Sequence, residues 1–134
     1  MPYSRKAVVR LPMTAVAAGI VLLSSVWLIT GARADGALAV GQCDRFGYSY
    51  RQSSAEEAGH VAFRGCAAEG DSSCRVVLNV EGSCYAFAVD GYNRCGPRGW
   101  GYAGSLHEAR EYARSYCHQQ GGHECTIKVE MCDR

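Results

Sequence analysis

Two periods of apolar residues run along this chain, and each occurs twice. Ala58, Val61, Ala62, Gly65 and Cys66 fall at i, i+3, i+4, i+7 and i+8, and Ala109, Tyr112, Ala113, Tyr116 and Cys117 repeat the spacing. That spacing gathers one face of a helix. Ser54-x-x-Glu57 and Ser105-x-x-Glu108 stand ahead of these faces as capping boxes, each expected to satisfy two orphan amides. Gly70 and Gly121-Gly122 follow as stops. Elsewhere the period is two. Val76, Leu78 and Val80 alternate onto one face of a strand at 75–81, and Ile127, Val129 and Met131 onto one face at 126–131. Phe46, Tyr48 and Tyr50 alternate with Gly47 and Ser49 at 46–51, as Trp100 and Tyr102 do with Gly99 and Gly101 at 99–103. Short runs rich in small residues, 37–40 and 85–89, read as a first strand in each half.

The order is thus β-β-α-β, twice. Ser54, Glu57, Ala58, Ala62, Cys66, Gly70 and Cys74 return as Ser105, Glu108, Ala109, Ala113, Cys117, Gly121 and Cys125 at a constant separation of 51. Ala37-Leu38-Ala39-Val40 answers Ala86-Phe87-Ala88-Val89, and Gly47-Tyr48-Ser49-Tyr50 answers Gly99-Trp100-Gly101-Tyr102. Val76 answers Ile127, and Cys84 answers Cys132 after a short deletion. An ungapped run of identities reads as an internal repeat, about 36–84 and about 85–133. The expected fold is α+β: two tandem β-β-α-β repeats with pseudo-two-fold symmetry, antiparallel sheet with two helices packed on it, in one mature domain spanning 35–134. One sheet or two is left open by the pattern.

Residues 1–34 stand apart. Arg5, Lys6 and Arg10 precede an uncharged apolar run at 11–30, and Ala32-Arg33-Ala34 offers small residues where a signal peptidase reads. A secretory signal peptide cleaved after Ala34 is expected. The competing reading keeps the run as a membrane anchor, since it is long enough to span. Cleavage removes four of the 14 basic residues and none of the 13 acidic ones, leaving ten basic side chains against thirteen acidic. An acidic body argues against nucleic acid as a partner, and leaves membrane contact only to an uncleaved signal.

All eight cysteines fall after that segment. Behind an export signal they read as disulfides formed in an oxidising compartment. Cys66 ends one helix on its buried face and Cys74 opens the next strand, and Cys117 and Cys125 repeat this, so each is paired with its neighbour. Cys84 and Cys132, taken as equivalents, can pair across the symmetry axis, as can Cys43 and Cys95 in equivalent hairpin loops.

With the repeat laid out, the chain resembles a family of exported bacterial proteins, domain of unknown function 4189, over about 36–133. The likeness rests on the Gly36-Ala37-Leu38-Ala39 opening, the helix ending in Cys66, Cys74-Arg75-Val76-Val77, Cys84-Tyr85-Ala86-Phe87-Ala88-Val89, and the closing Ile127-Lys128-Val129-Glu130-Met131-Cys132. Cys43 and Cys95 depart from the family pattern as an added pair. The resemblance implies export and this fold, and brings no catalytic residues with it.

Candidate chemistry is sparse. Glu57 and Glu108 are expected to cap helices, and Glu56, Glu69, Glu111 and Glu130 to be solvated, so no carboxylate pair is set apart for hydrolysis. Cys117-His118-x4-His123-x-Cys125 has ligand types, but the other half lacks the histidines, so disulfide explains both and no metal is expected. No Gly-x-Ser-x-Gly elbow occurs, and Gly96-Pro97-Arg98-Gly99 is turn chemistry. His60 and His107 read as surface residues. The aromatic residues Tyr48, Tyr50, Trp100 and Tyr102 carry two readings. Either they pack under the helices as core, or they turn outward as a binding strip, flanked by Arg45, Arg51, Arg94 and Arg98, with the small residues opposite admitting the helices.

The expected function is a non-catalytic binding, inhibitor or host-interaction module, periplasmic or secreted, with no cofactor. Its partner is an envelope or extracellular protein or glycan. A hydrolase of envelope polymers and a structural envelope domain are the rivals.

Overall fold

The computed structural model describes residues 35–133, so the expected signal segment lies outside the described residues. The first unit is β1 (Asp35–Val40), β2 (Phe46–Gln52), α1 (Ala55–Ala67) and β3 (Arg75–Glu81). The second is β4 (Cys84–Asp90), β5 (Arg98–Ala103), α2 (Leu106–Gln119) and β6 (Cys125–Cys132). The six strands form two antiparallel sheets, β2-β1-β3 and β5-β4-β6. The fold is therefore α+β, built from two units of one order and one sheet topology.

The central strands explain the layering. On β1, Ala37 and Ala39 meet Ala58, Ala62 and Cys66 of α1. On β4, Cys84, Ala86 and Ala88 meet Ala109, Ala113 and Cys117 of α2. The opposite faces carry the large residues: Leu38, Val40 and Val80 of the first sheet pack with Tyr85, Phe87 and Val89 of the second. Small residues thus face helices and large ones face the other sheet, in the layer order α1, sheet, sheet, α2. Strands buried on both faces read as continuous apolar runs, which is why Cys84–Asp90 is buried throughout.

Each helix sits close to its sheet because the neighbouring strand has no bulk there. A Cβ on Gly47 would overlap the Ala62 carbonyl, and one on Gly99 the Ala113 carbonyl and Cys117 amide. The buried stripe of each helix is accordingly narrow, at i, i+4 and i+8. Tyr112, placed on this face by the sequence pattern, is 57% exposed instead.

Three other expectations are corrected. First, Val76 and Ile127 do not share a face with their alternating partners. The register jumps from Leu38↔Leu78 to Ala39↔Val76, and from Phe87↔Val129 to Ala88↔Ile127. Val77 and Lys128 are therefore extra residues in bulges, which flip the side chains beyond them. Ile127 packs on the helix side, while Val129 and Met131 face the other sheet. Second, the capping boxes are half made. Ser54 and Ser105 accept the Glu57 and Glu108 amides, but Glu57 returns to the hydroxyl and amide of Ser53, one residue ahead of the N-cap, and Glu108 to the Ser105 hydroxyl, rather than to the N-cap amides. Third, Cys84–Cys132 does not cross the symmetry axis. Cys84 opens β4 directly opposite Cys132 on β6, within one sheet, and the matching positions of the first unit are Asp35 and Glu81.

The remaining disulfides are Cys66–Cys74, Cys117–Cys125 and Cys43–Cys95. The last joins the two units. Polar contacts add to it: Tyr85 Oη donates to the Ser49 carbonyl inside the core at 2.9 Å, and the Arg51 amide donates to Asp133 Oδ1 at 2.7 Å in a part-buried bond. Among the described residues no helix is long and apolar enough to cross a membrane.

Candidate functional site

The aromatics do not pack under the helices, because Gly47, Ser49, Gly99 and Gly101 occupy that side. Tyr48, Tyr50 and Tyr102 are 42%, 45% and 60% exposed. Phe46 and Trp100 are half-buried against the inter-sheet core, with the Phe46 and Phe87 ring centroids 5.7 Å apart. Tyr48 and Tyr50 lie on β2 and Trp100 and Tyr102 on β5, which are edge strands of different sheets. The four are thus presented as two separate pairs.

Of these, Trp100 lines a cleft at the seam between the units. The cleft, about 400 Å³, is walled by Arg75 of β3, by Gly96, Pro97, Arg98 and Trp100 of the second hairpin, and by Tyr116 and Gln120 at the end of α2. Trp100 is held edge-to-face against Tyr116, centroids 5.2 Å apart at 90°. The Arg98 guanidinium reaches across to the Gly41 and Cys43 carbonyls of the first unit. The Cys43–Cys95 bridge lies beside this contact and pins the same loop. Arg75 follows Cys74, whose disulfide fixes the start of β3. Among the described residues neither Arg75 nor Arg98 is paired with a carboxylate.

A second cleft occupies the matching place in the first unit. It measures about 320 Å³ and is lined by Asp44, Arg45, Phe46, Gly65, Cys66, Ala68 and Glu69. Here the charges are matched: Arg45 pairs with Glu69 at 2.6 Å, and Asp44 pairs with Arg94.

The sequence pattern places Tyr116 on a helix face and Arg75 in the family likeness, and marks neither, nor Gln120, as a site residue. The signal that finds them is divergence between the halves: they stand where the other unit has Thr126, Gly65 and Glu69. Of the flanking arginines, Arg51 serves through its backbone amide and Arg45 and Arg94 through ion pairs; Arg98 alone belongs to the cleft.

Several carboxylates have structural partners. Glu130 is paired with Arg110, which holds its carboxyl below the usual range through a direct hydrogen bond. Glu111 pairs with Arg114 at 3.2 Å. Asp71 accepts from the Ser73 hydroxyl and amide and from the Gln42 amide, and these bonds lower its pKa. Cys117 and Cys125 are bonded to each other, and His118 Nδ1 lies 2.8 Å from the Gly122 carbonyl. His60 and His107 are exposed.

Compared with known protein families, residues 36–132 match the model described as "Domain of unknown function (DUF4189)". No curated protein and no solved structure matches the chain.

Proposed function

The chain belongs to the DUF4189 family, and from the site its fold builds we propose that it is an exported, non-catalytic binding module that holds an envelope or extracellular ligand in the seam cleft. The observation that carries this reading is the cleft's construction. Its walls come from both units, and the loop that closes it is fixed by Cys43–Cys95 and by the Arg98 bonds to Gly41 and Cys43. A preformed site avoids the ordering cost of binding, and about 400 Å³ falls within the size of small-ligand sites. No carboxylate lines the seam cleft, so the pair of acids that hydrolysis of a polymer uses is not at hand there. Four disulfides persist in an oxidising compartment, so the ligand is met outside the cytoplasm, in the periplasm or beyond the cell.

The test is retention of solubilised envelope components by the immobilised, oxidised protein. One component should be retained, and lost with Trp100→Ala and with the exposed Arg75→Ala while the thermal midpoint of Arg75→Ala is kept. Equal retention by both variants contradicts the proposal.

A further inference from the structure

We propose that the ligand of the seam cleft is an anionic saccharide, a sugar unit bearing a carboxylate or phosphate; this rests on the reading of the cleft as a binding site. The two units supply an internal comparison. The first unit's cleft carries Arg45 and neutralises it with Glu69. In the second unit the position of Glu69 is Gln120, an amide that cannot neutralise a guanidinium, and the position of Phe46 is Arg98. Arg75 then adds a second cation where the other half has Thr126. The first cleft holds one cation, Arg45, against Asp44 and Glu69. The seam cleft has Pro97, Gly96 and Gln120 at those places and gains Arg98 and Arg75, so its lining carries two cations and no anion, on a chain whose residues 35–134 carry more acidic than basic side chains. Arg98 spends one nitrogen on the Gly41 and Cys43 carbonyls; the rest of its guanidinium and that of Arg75 line the cleft, and such groups bind carboxylate and phosphate oxygens in two-pronged fashion.

The rest of the lining favours a sugar over a peptide. The Gln120 side chain offers hydrogen bonds to hydroxyls, and Trp100 and Tyr116 offer ring surface. Pro97 is the sole aliphatic side chain among the lining residues, so the cleft's apolar surface is mostly ring. Tyr116 is itself a departure, since Gly65 at the matching position leaves the other cleft without this ring.

The experiment is calorimetric titration of the oxidised protein with three probes of equal length: trigalacturonate, a phosphorylated maltotriose and unmodified maltotriose. One or both anionic probes should bind at least about tenfold more tightly than maltotriose, and binding should weaken several-fold between low and moderate salt as charges are screened. Which anionic probe is preferred separates the carboxylate source from the phosphate source. Arg75→Glu should weaken the anion at least about tenfold, whereas Arg64→Glu, the same charge change on α1 away from the cleft, should leave it unaltered. Equal affinity for maltotriose, no effect of Arg75→Glu, or no binding of either anion overturns the anionic assignment. If Trp100→Ala still abolishes retention of an envelope component, the binding reading survives that failure; if it does not, both fall together.

Discussion

Tyr85 on β4 donates its hydroxyl to the Ser49 carbonyl on β2, 2.9 Å away, and so ties one unit to the other from inside the core. Burial, with Asp133 nearby, pushes the Tyr85 phenol far above its ordinary range. The folded protein therefore keeps a proton that an unfolded tyrosine releases near pH ~10. More protons are bound folded than unfolded there, so the contribution is complete below that pH and is lost as pH rises. The urea midpoint should fall from about pH 10 upward. Tyr85→Phe should cost about 1 kcal/mol at neutral pH by orphaning the carbonyl, and its alkaline decline should be shallower. An unchanged alkaline slope contradicts this assignment.

The close seating of the helices makes a second expectation. A methyl at Gly99 meets the backbone of α2, which cannot yield without moving the helix. Gly99→Ala should destabilise by about 3 kcal/mol, as overpacking of a tight contact does. Gly104→Ala, with nothing within 4 Å of the added carbon, should be nearly neutral. Chemical denaturation of the pair of variants decides it.

Arg110 on α2 lies over a groove and pairs with Glu130 on β6. At the matching places of the first unit stand Gly59 and Asn79, and the groove there, lined by Phe63, Val76 and His60, is open. A side chain at Gly59 meets only ordinary contacts with Val76 and Asn79. Gly59→Arg with Asn79→Glu should transplant the ion pair and remove a helical glycine, raising stability by about 1 kcal/mol. The double variant measured against each single one reports the coupling; a double variant less stable than the parent contradicts the equivalence of the two grooves.

Acid should loosen the loops. Asp71 is lowered chiefly by the Ser73 hydroxyl and amide, and Asp90 chiefly by the Glu124 amide, with His123, Tyr92 and Asn93 adding to it. A depressed carboxyl contributes stability that is present above the unfolded pKa, near ~3.9 for aspartate, and lost as pH falls through the folded value. The thermal midpoint should drop below about pH 4, and the drop should be smaller in Asp71→Asn and Asp90→Asn. A midpoint flat to pH ~2 counts against these bonds.

Most of this architecture is legible because local signals agree. The capping serines, the Ala-Ala-Cys stripes and the glycine stops mark both helices, and six strands fall within two residues of their expected places. What escaped notice left a trace in the spacing. The separation between halves changes from 52 at Tyr50 and Tyr102 to 51 at Ser54 and Ser105. The extra residue in the first half is accounted for by a bulge, where Tyr50 and Arg51 together face Gly36 and Arg51 takes a positive φ of 52°. The Val77 and Lys128 bulges occur in both halves, so comparison between halves cannot reveal them, and simple alternation misplaces Val76 and Ile127. Sheet-on-sheet stacking is written only as apolarity on both faces of β1 and β4, which a helix-covered single sheet would share. The cleft escaped motif reading because Arg75, Trp100 and Gln120 are brought together by the packing of two units, and no short stretch of chain contains them.

An amide and indole NMR map of the oxidised protein, titrated with the tightest of the three saccharide probes, locates the ligand on the fold. Shifts should concentrate at Arg75, Arg98, the Trp100 indole, Tyr116 and Gln120, spanning both units. Shifts confined to the Phe63–Val76 groove, to the Asp44–Glu69 cleft, or to one unit alone would contradict that placement.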